Sequence, residues 1–176
     1  FVADAVVIGS GAGGAAVATQ LAESGMRTLM LEEGRFHPTK RNSADIVAMM
    51  GQLMRDGGTT AIVGKSPISY MEGRCLGGTT VLNGGMCWRT PENVLDEWVS
   101  RGLTELSPKK LEPIFEEVEK IIDARFQDPG SAGGANDKFR LGSEILKWHL
   151  SRNRRNQQHC VGSRLLRYCV AQTTTP

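Results

Sequence analysis

The chain has 176 residues and a mass of 19.1 kDa, with 40% hydrophobic and 23% charged residues. That is the composition of one ordinary folded domain, which excludes wholesale disorder and leaves no length for a second full domain. A net charge of +2 gives no electrostatic case for a nucleic-acid partner, and no apolar run approaches the roughly 18 residues of a membrane span.

Glycine is the outlier, at 21 residues, and 15 of them lie before residue 91. The front of the chain is therefore glycine-rich and the back is read as helical. The sequence opens on Phe1 rather than Met, which reads as a removed upstream segment or a fragment. No basic stretch followed by an apolar one marks a secretory signal. Cys75, Cys87, Cys160 and Cys169 form no C-x-x-C pair, and a chain of this size does not need disulfide staples. They read as reduced thiols, and the expected compartment is the cytoplasm.

Asp4-Ala5-Val6-Val7-Ile8 is a short β-branched run ended by Gly9, and reads as a strand buried on both faces. Residues 12–24 read as a helix with Ala15, Ala16, Val17, Ala18 and Leu21 as its packing face and Gly25 just past its end. Thr28-Leu29-Met30-Leu31-Glu32 is a second strand. Strand, helix and strand in about 30 residues make a βαβ unit with a parallel pair and a right-handed crossover. Ser43 is placed as the cap of a helix running to about Arg55, with Ile46, Met49, Met50, Leu53 and Met54 inward, stopped by Gly57-Gly58. Residues 59–72 read as extended, and 73–91 as a second glycine cluster.

Thr90-Pro91 is read as an N-cap and first helical residue, starting a helix with Val94, Leu95, Trp98 and Val99 on one side. Ser107-Pro108 repeats the signal ahead of the stripe Leu111, Ile114, Phe115, Val118, Ile121 and Ile122. Asp128–Asn136 reads as a loop, and 138–152 as a helix with Leu141, Ile145 and Trp148 aligned. From Lys138 to Arg167 there are eight Lys or Arg residues against one Glu. The expected organisation is one domain over 1–150 and an irregular, truncated basic tail over 151–176.

The first glycine block, Gly9-Ser10-Gly11-Ala12-Gly13-Gly14, contains G-x-G-x-x-G at Gly9, Gly11 and Gly14. A pyrophosphate needs backbone N–H groups at close range, and a helix N-terminus supplies them with the positive end of its dipole. Gly9 allows the tight turn, Gly11 leaves room for the pyrophosphate, and Gly14 lets the helix press on the sheet. Glu32 lies 18 residues past Gly14, where the fingerprint places an acid that accepts from ribose hydroxyls. Glu33 is its adjacent alternative. The bland alternative is a glycine turn that binds nothing, and the βαβ context argues against it.

The block fits NAD and FAD equally well. The second block, Gly73-Arg74-Cys75-Leu76-Gly77-Gly78-Thr79-Thr80-Val81-Leu82-Asn83-Gly84-Gly85-Met86, favours the larger flavin. Small residues let main chain approach, and Thr79 and Thr80 carry hydroxyls for phosphate or ring oxygens. A mobile glycine-rich surface loop is the rival on composition alone.

These two blocks, with Leu29-Met30-Leu31-Glu32-Glu33-Gly34, resemble the glucose–methanol–choline (GMC) oxidoreductase family over about residues 3–150. The resemblance implies an α/β, Rossmann-like FAD-binding domain with an incomplete sheet, followed by a helical segment. It implies FAD, oxidation of alcohol CH–OH donors, and hydride transfer to flavin N5. Gly9–Gly14, Glu32, Glu33, Arg74, Gly77–Thr80, Asn83, Gly84 and Met86 are the cofactor-binding positions it implies. Where many members carry an aromatic residue four positions after the asparagine, this chain has Cys87, with Trp88 next. Asn83-Gly84-Gly85-Met86 is more similar to the cholesterol oxidase and long-chain alcohol oxidase branches, which points to a bulky apolar alcohol. No histidine lies between His37 and His149, so the FAD is expected to be non-covalent.

Family members are longer, and their substrate domain and C-terminal histidine base have no counterpart here. His37 reads as a loop residue, His149 as a packed helical one beside Trp148, and His159 as part of the basic tail, so no catalytic residue is assigned. Cys160 and Cys169, nine apart with no other soft ligand, make a poor zinc site. The rival readings are an NAD-linked dehydrogenase, and a non-catalytic truncated product or FAD-binding subunit.

Overall fold

In the computed structural model of the chain, strand β1 (Ala5–Ile8) runs parallel to β2 (Thr28–Leu31), with Ala5 opposite Thr28 and Ile8 opposite Leu31. The structure describes residues 2–38, 41, 43, 45–127 and 133–156. Helix α1 (Ala12–Glu23) joins the two strands, as the βαβ reading requires. Gly25, at φ +87°, ends α1 in a conformation that only glycine adopts without strain. Gly14, Ala18 and Leu21 are the half-buried residues of α1, while Ala15, Ala16 and Val17 are exposed. Gly14 and Ala18 are the small ones, so the helix packs through its smallest contacts and the expected face shifts by about one residue. The buried-strand expectation for β1 is also corrected. Val6 and Ile8 are exposed while Ala5 and Val7 are half-buried, so among the described residues only one face of β1 is covered.

These elements belong to a compact unit made by the described residues up to Gly84. Its core is Met49, Leu53 and Cys75, each at most 2% exposed, with Val81 and Leu82 packed against them. Met49 and Leu53 come from α2 (Ile46–Leu53). The cap of α2 is Asp45 rather than Ser43. Its carboxylate accepts the Ala48 N–H at 3.0 Å, three residues into the turn, while the Ser43 hydroxyl accepts the Asp45 N–H at 3.2 Å, ahead of the helix. Ile46, expected inward, is exposed at the start of the helix. After a turn over Arg55–Gly58, β3 (Thr60–Ile62) and β4 (Ile68–Tyr70) form an antiparallel hairpin in the stretch expected to be extended.

The described residues from Gly85 onward form a second unit. Helix α3 (Glu92–Ser100) buries Leu95 and half-buries Val94, Trp98 and Val99, as the periodicity predicts. Its N-cap is Pro91, not Thr90, since the Pro91 carbonyl accepts both the Val94 and Leu95 N–H groups. Ser107 and Pro108 start α4 (Pro108–Ile121) where expected. Only part of its apolar stripe turns inward: Leu111 and Phe115 are half-buried, and Ile114, Val118, Ile121 and Ile122 are exposed.

Glu119 shares the inward face of α4 because two arginines neutralise it. Its carboxylate accepts Arg89 Nε at 2.7 Å and Nη2 at 2.8 Å, and Arg154 Nη1 at 2.6 Å. The paired guanidiniums hold its carboxyl below the usual range. Arg154 sits on β6 (Arg154–Arg155), which pairs antiparallel with β5 (Arg125–Phe126). The carboxylate therefore ties α4, Arg89 and the basic segment together. Glu119→Ala is expected to lower unfolding stability by about 1 kcal/mol, read from the urea midpoint, and Glu116→Ala on the exposed face to leave it unchanged.

Helix α5 runs Gly134–Ile145, earlier at both ends than expected. Lys147 at φ +54° and the Trp148 N–H on the Ser143 carbonyl close its C-terminus, so Trp148 and His149 lie beyond the helix and are exposed. His159, Cys160, Cys169 and the rest of the tail from residue 157 lie outside the described residues.

Candidate dinucleotide site

Gly9 leaves β1 at φ +89° and turns the chain into α1, its N–H held by the Leu31 carbonyl at 2.7 Å. Gly11 is the N-cap of α1, and no side chain caps the helix. The first-turn N–H groups, which have no intrahelical partner by geometry, are therefore left for a ligand. Gly14 lies where the motif needs it. A Cβ there would stand 1.9 Å from the Gly9 carbonyl oxygen, so helix and strand approach as closely as glycine allows.

Glu32 follows β2 directly and reaches back to this turn. Its Oε2 accepts the Ser10 N–H at 2.8 Å and the Ser10 hydroxyl at 2.6 Å, and its Oε1 accepts the Gly34 N–H at 2.7 Å. The Ser10 hydroxyl, followed by the Gly34 N–H, holds the carboxyl below its ordinary range. A carboxylate has about four acceptor sites. Oε1 keeps capacity for a ribose hydroxyl, while Oε2 is engaged by Ser10. Glu33 faces elsewhere: it pairs with Arg55 and with Arg74 Nε at 3.2 Å. Arg55 also binds Glu72, whose carboxylate accepts the Tyr70 hydroxyl. Of the two adjacent acids, Glu32 is thus the one on the glycine turn.

The second glycine block packs on the first. Gly78 approaches Gly11 so closely that an added Cβ would be 3.2 Å from the Gly11 Cα, and the Gly77 N–H is donated to the Ser10 hydroxyl at 2.7 Å. Gly34 and Gly73 press against backbone on the same scale, with added Cβ atoms 2.3 Å from Cys75 N and 2.5 Å from Gly78 C. No local pattern marks this need at Gly34, since the backbone it presses on lies about 40 residues away in sequence. The threonines divide. Thr80 donates its hydroxyl proton to the Gly77 carbonyl at 2.6 Å, whereas Thr79 accepts the Gly73 N–H at 3.0 Å and keeps its proton. Asn83 donates its side-chain N–H to the Thr80 carbonyl at 2.6 Å and so closes the Gly78–Thr80 turn. Gly84 ends the first unit, and Met86, exposed, belongs to the second.

Cys75 lies in the middle of this block with 1% exposure, and burial pushes its thiol up. It is expected to resist iodoacetamide in the folded protein and to react once urea unfolds it, a difference peptide mass mapping measures.

A turn of this geometry, a helix N-terminus free of side-chain caps and an acid on the turn define a dinucleotide-binding protein. Comparison with known proteins names the family. The FAD binding domain model matches residues 4–59, and the GMC oxidoreductase model matches residues 50–173. An uncharacterized GMC-type oxidoreductase of Sinorhizobium fredii is 40% identical over 162 residues, which is 92% of this chain and 32% of that protein. Another from Mycobacterium tuberculosis is 35% identical over 91% of this chain and 26% of its own length. The long-chain-alcohol oxidase FAO1 of Arabidopsis thaliana is 31% identical over 91% of this chain and 21% of its own. Among solved structures, pyridoxine 4-oxidase from Mesorbium loti aligns with a TM-score of 0.48 and 22% identity over 63% of this chain and 23% of its own.

The chain belongs to the GMC oxidoreductase family, whose members use FAD, and it spans a third or less of the curated relatives it matches. Among the described residues no helix is long and apolar enough to cross a membrane.

Proposed function

We propose that this chain is the FAD-binding portion of an enzyme that oxidises the CH–OH group of a bulky, apolar alcohol. The observation that carries the cofactor part is the docking of both glycine blocks and Glu32 onto one turn at the N-terminus of α1. The uncapped α1 N–H groups and the glycines facing them would hold the pyrophosphate. Glu32 Oε1 would take a ribose hydroxyl, and Thr79 has a hydroxyl proton to give to phosphate or ring oxygens. The alcohol class is supported by the long-chain-alcohol oxidases of Arabidopsis thaliana among the relatives.

When bound, FAD supplies the hydride acceptor of the reaction. The chain's own residues position it, with the Glu32 carboxylate held on the turn by Ser10. Neither described histidine is assigned as base. His37 follows β2 in a loop, and His149 lies past α5, so the reading takes the base from the remainder of the full-length protein.

The test is the visible spectrum of the full-length protein. Oxidised-flavin absorption retained through gel filtration, bleached without oxygen by a long-chain primary alcohol and untouched by glucose or choline, is the expected result. Colourless protein that does not take up added FAD overturns the cofactor reading. A retained flavin that no alcohol bleaches overturns the donor class.

A further inference from the structure

We propose that Ser10 is a positioning residue whose hydroxyl locks the second glycine block onto the first, by donating to Glu32 while accepting from Gly77. The motif leaves this position open, since any small residue satisfies G-x-G. Here it holds a serine that is 5% exposed. A hydroxyl has one proton and two lone pairs. Glu32 Oε2, 2.6 Å away, is a pure acceptor when ionised, so the proton points to it. The lone pairs then face the Gly77 N–H at 2.7 Å. The carboxylate therefore sets the direction of the whole chain of bonds, from Gly77 through Ser10 to Glu32.

The geometry around it depends on that direction. Gly77 at φ +94° and Gly78 at φ +56° form a left-handed turn that aims the Gly77 N–H inward. The same turn sets Gly78 against Gly11, where the gap admits no side chain without adjustment. With alanine at position 10 the Gly77 N–H loses this acceptor and the turn loses its anchor. Ser10 is thus assigned to the protein side of the cradle, acting on the pyrophosphate through Gly77 and Gly78. The consequence for affinity rests on the FAD reading above; the bond itself does not.

Hydrogen exchange on the full-length protein, with and without FAD, tests it, alongside FAD affinity from flavin fluorescence. In the unaltered protein the Gly77 amide is expected to exchange well below the free-peptide rate in both states. Ser10→Ala is expected to accelerate that amide and to raise the FAD dissociation constant, each about tenfold, while the β1–β2 amides stay protected. Ser10→Thr, which keeps the hydroxyl, is expected to restore Gly77 protection. A Gly77 amide that exchanges freely in the unaltered protein overturns the proposal without any variant. So does a Ser10→Ala protein that exposes β1–β2 as much as Gly77, since that is a merely structural effect. Should the protein bind no FAD, the function reading falls, and the Gly77 amide of the apoprotein still decides this one.

Discussion

Full-length protein carrying Gly14→Ala is expected to purify without flavin. The added Cβ would stand 1.9 Å from the Gly9 carbonyl oxygen and 3.0 Å from its carbon, with Val7 Cγ1 at 3.5 Å. The first two contacts are backbone atoms of the turn itself, so no rotamer change relieves them. Helix α1 must move off β1 by on the order of 1 Å, and displacements of that size at a positioned site cost about a hundredfold. Flavin retention is expected to fall by that factor or more.

Gly51→Ala, away from the glycine turn, is the control. Nothing lies within 4 Å of its added Cβ, and it sits in the helical backbone of α2. There alanine is expected to stabilise the helix by roughly 0.5–1 kcal/mol and to leave the flavin bound. Absorbance at the flavin band, per mole of protein after gel filtration, measures both. Equal flavin content in the two variants would remove the close-packing argument, and with it the reason for reading Gly14 as the third glycine of the fingerprint.

The contrast between these two glycines shows what was legible in the chain. The turn, α1 and both strands are locally encoded, by a β-branched run, a glycine turn and a second apolar run, and the structure has them within a residue of their expected ends. Glu32 was legible because its distance from Gly14 is part of the pattern. What it touches was not. Ser10 reads in sequence as another cofactor ligand, yet its hydroxyl is spent between Glu32 and a glycine 67 positions later. No local pattern reports a contact at that separation. The helical stripes of the second unit show the complementary failure. Periodicity placed α4 well, but its inward face carries Glu119, which Arg89 and Arg154, both distant in sequence, neutralise, while Val118 and Ile121 are exposed. A pattern of apolar residues does not register a charge that is paired from elsewhere.

Glu32→Gln is expected to weaken both the cradle and the cofactor, and to do so with a definite pH dependence. The carboxylate accepts three protein N–H or O–H groups, two of them on Oε2. Glutamine has one acceptor oxygen, and whichever way its amide turns, an N–H faces at least one of those donors. The loss is expected to be about 2 kcal/mol of unfolding stability at neutral pH and at least tenfold in flavin affinity. The sign with pH follows from the depressed carboxyl of the folded state. The unfolded chain binds the proton first as pH falls, so the stabilisation is complete above the ordinary glutamate range and drains away as pH drops through the lowered folded value. The gap between the unaltered protein and Glu32→Gln should therefore be widest near neutrality and close on acidification, in urea titrations repeated from pH 7 downward. A gap that stays constant with pH would mean that Glu32 acts through its shape and not its charge. The Ser10–Gly77 lock would then have lost the anion that orients it.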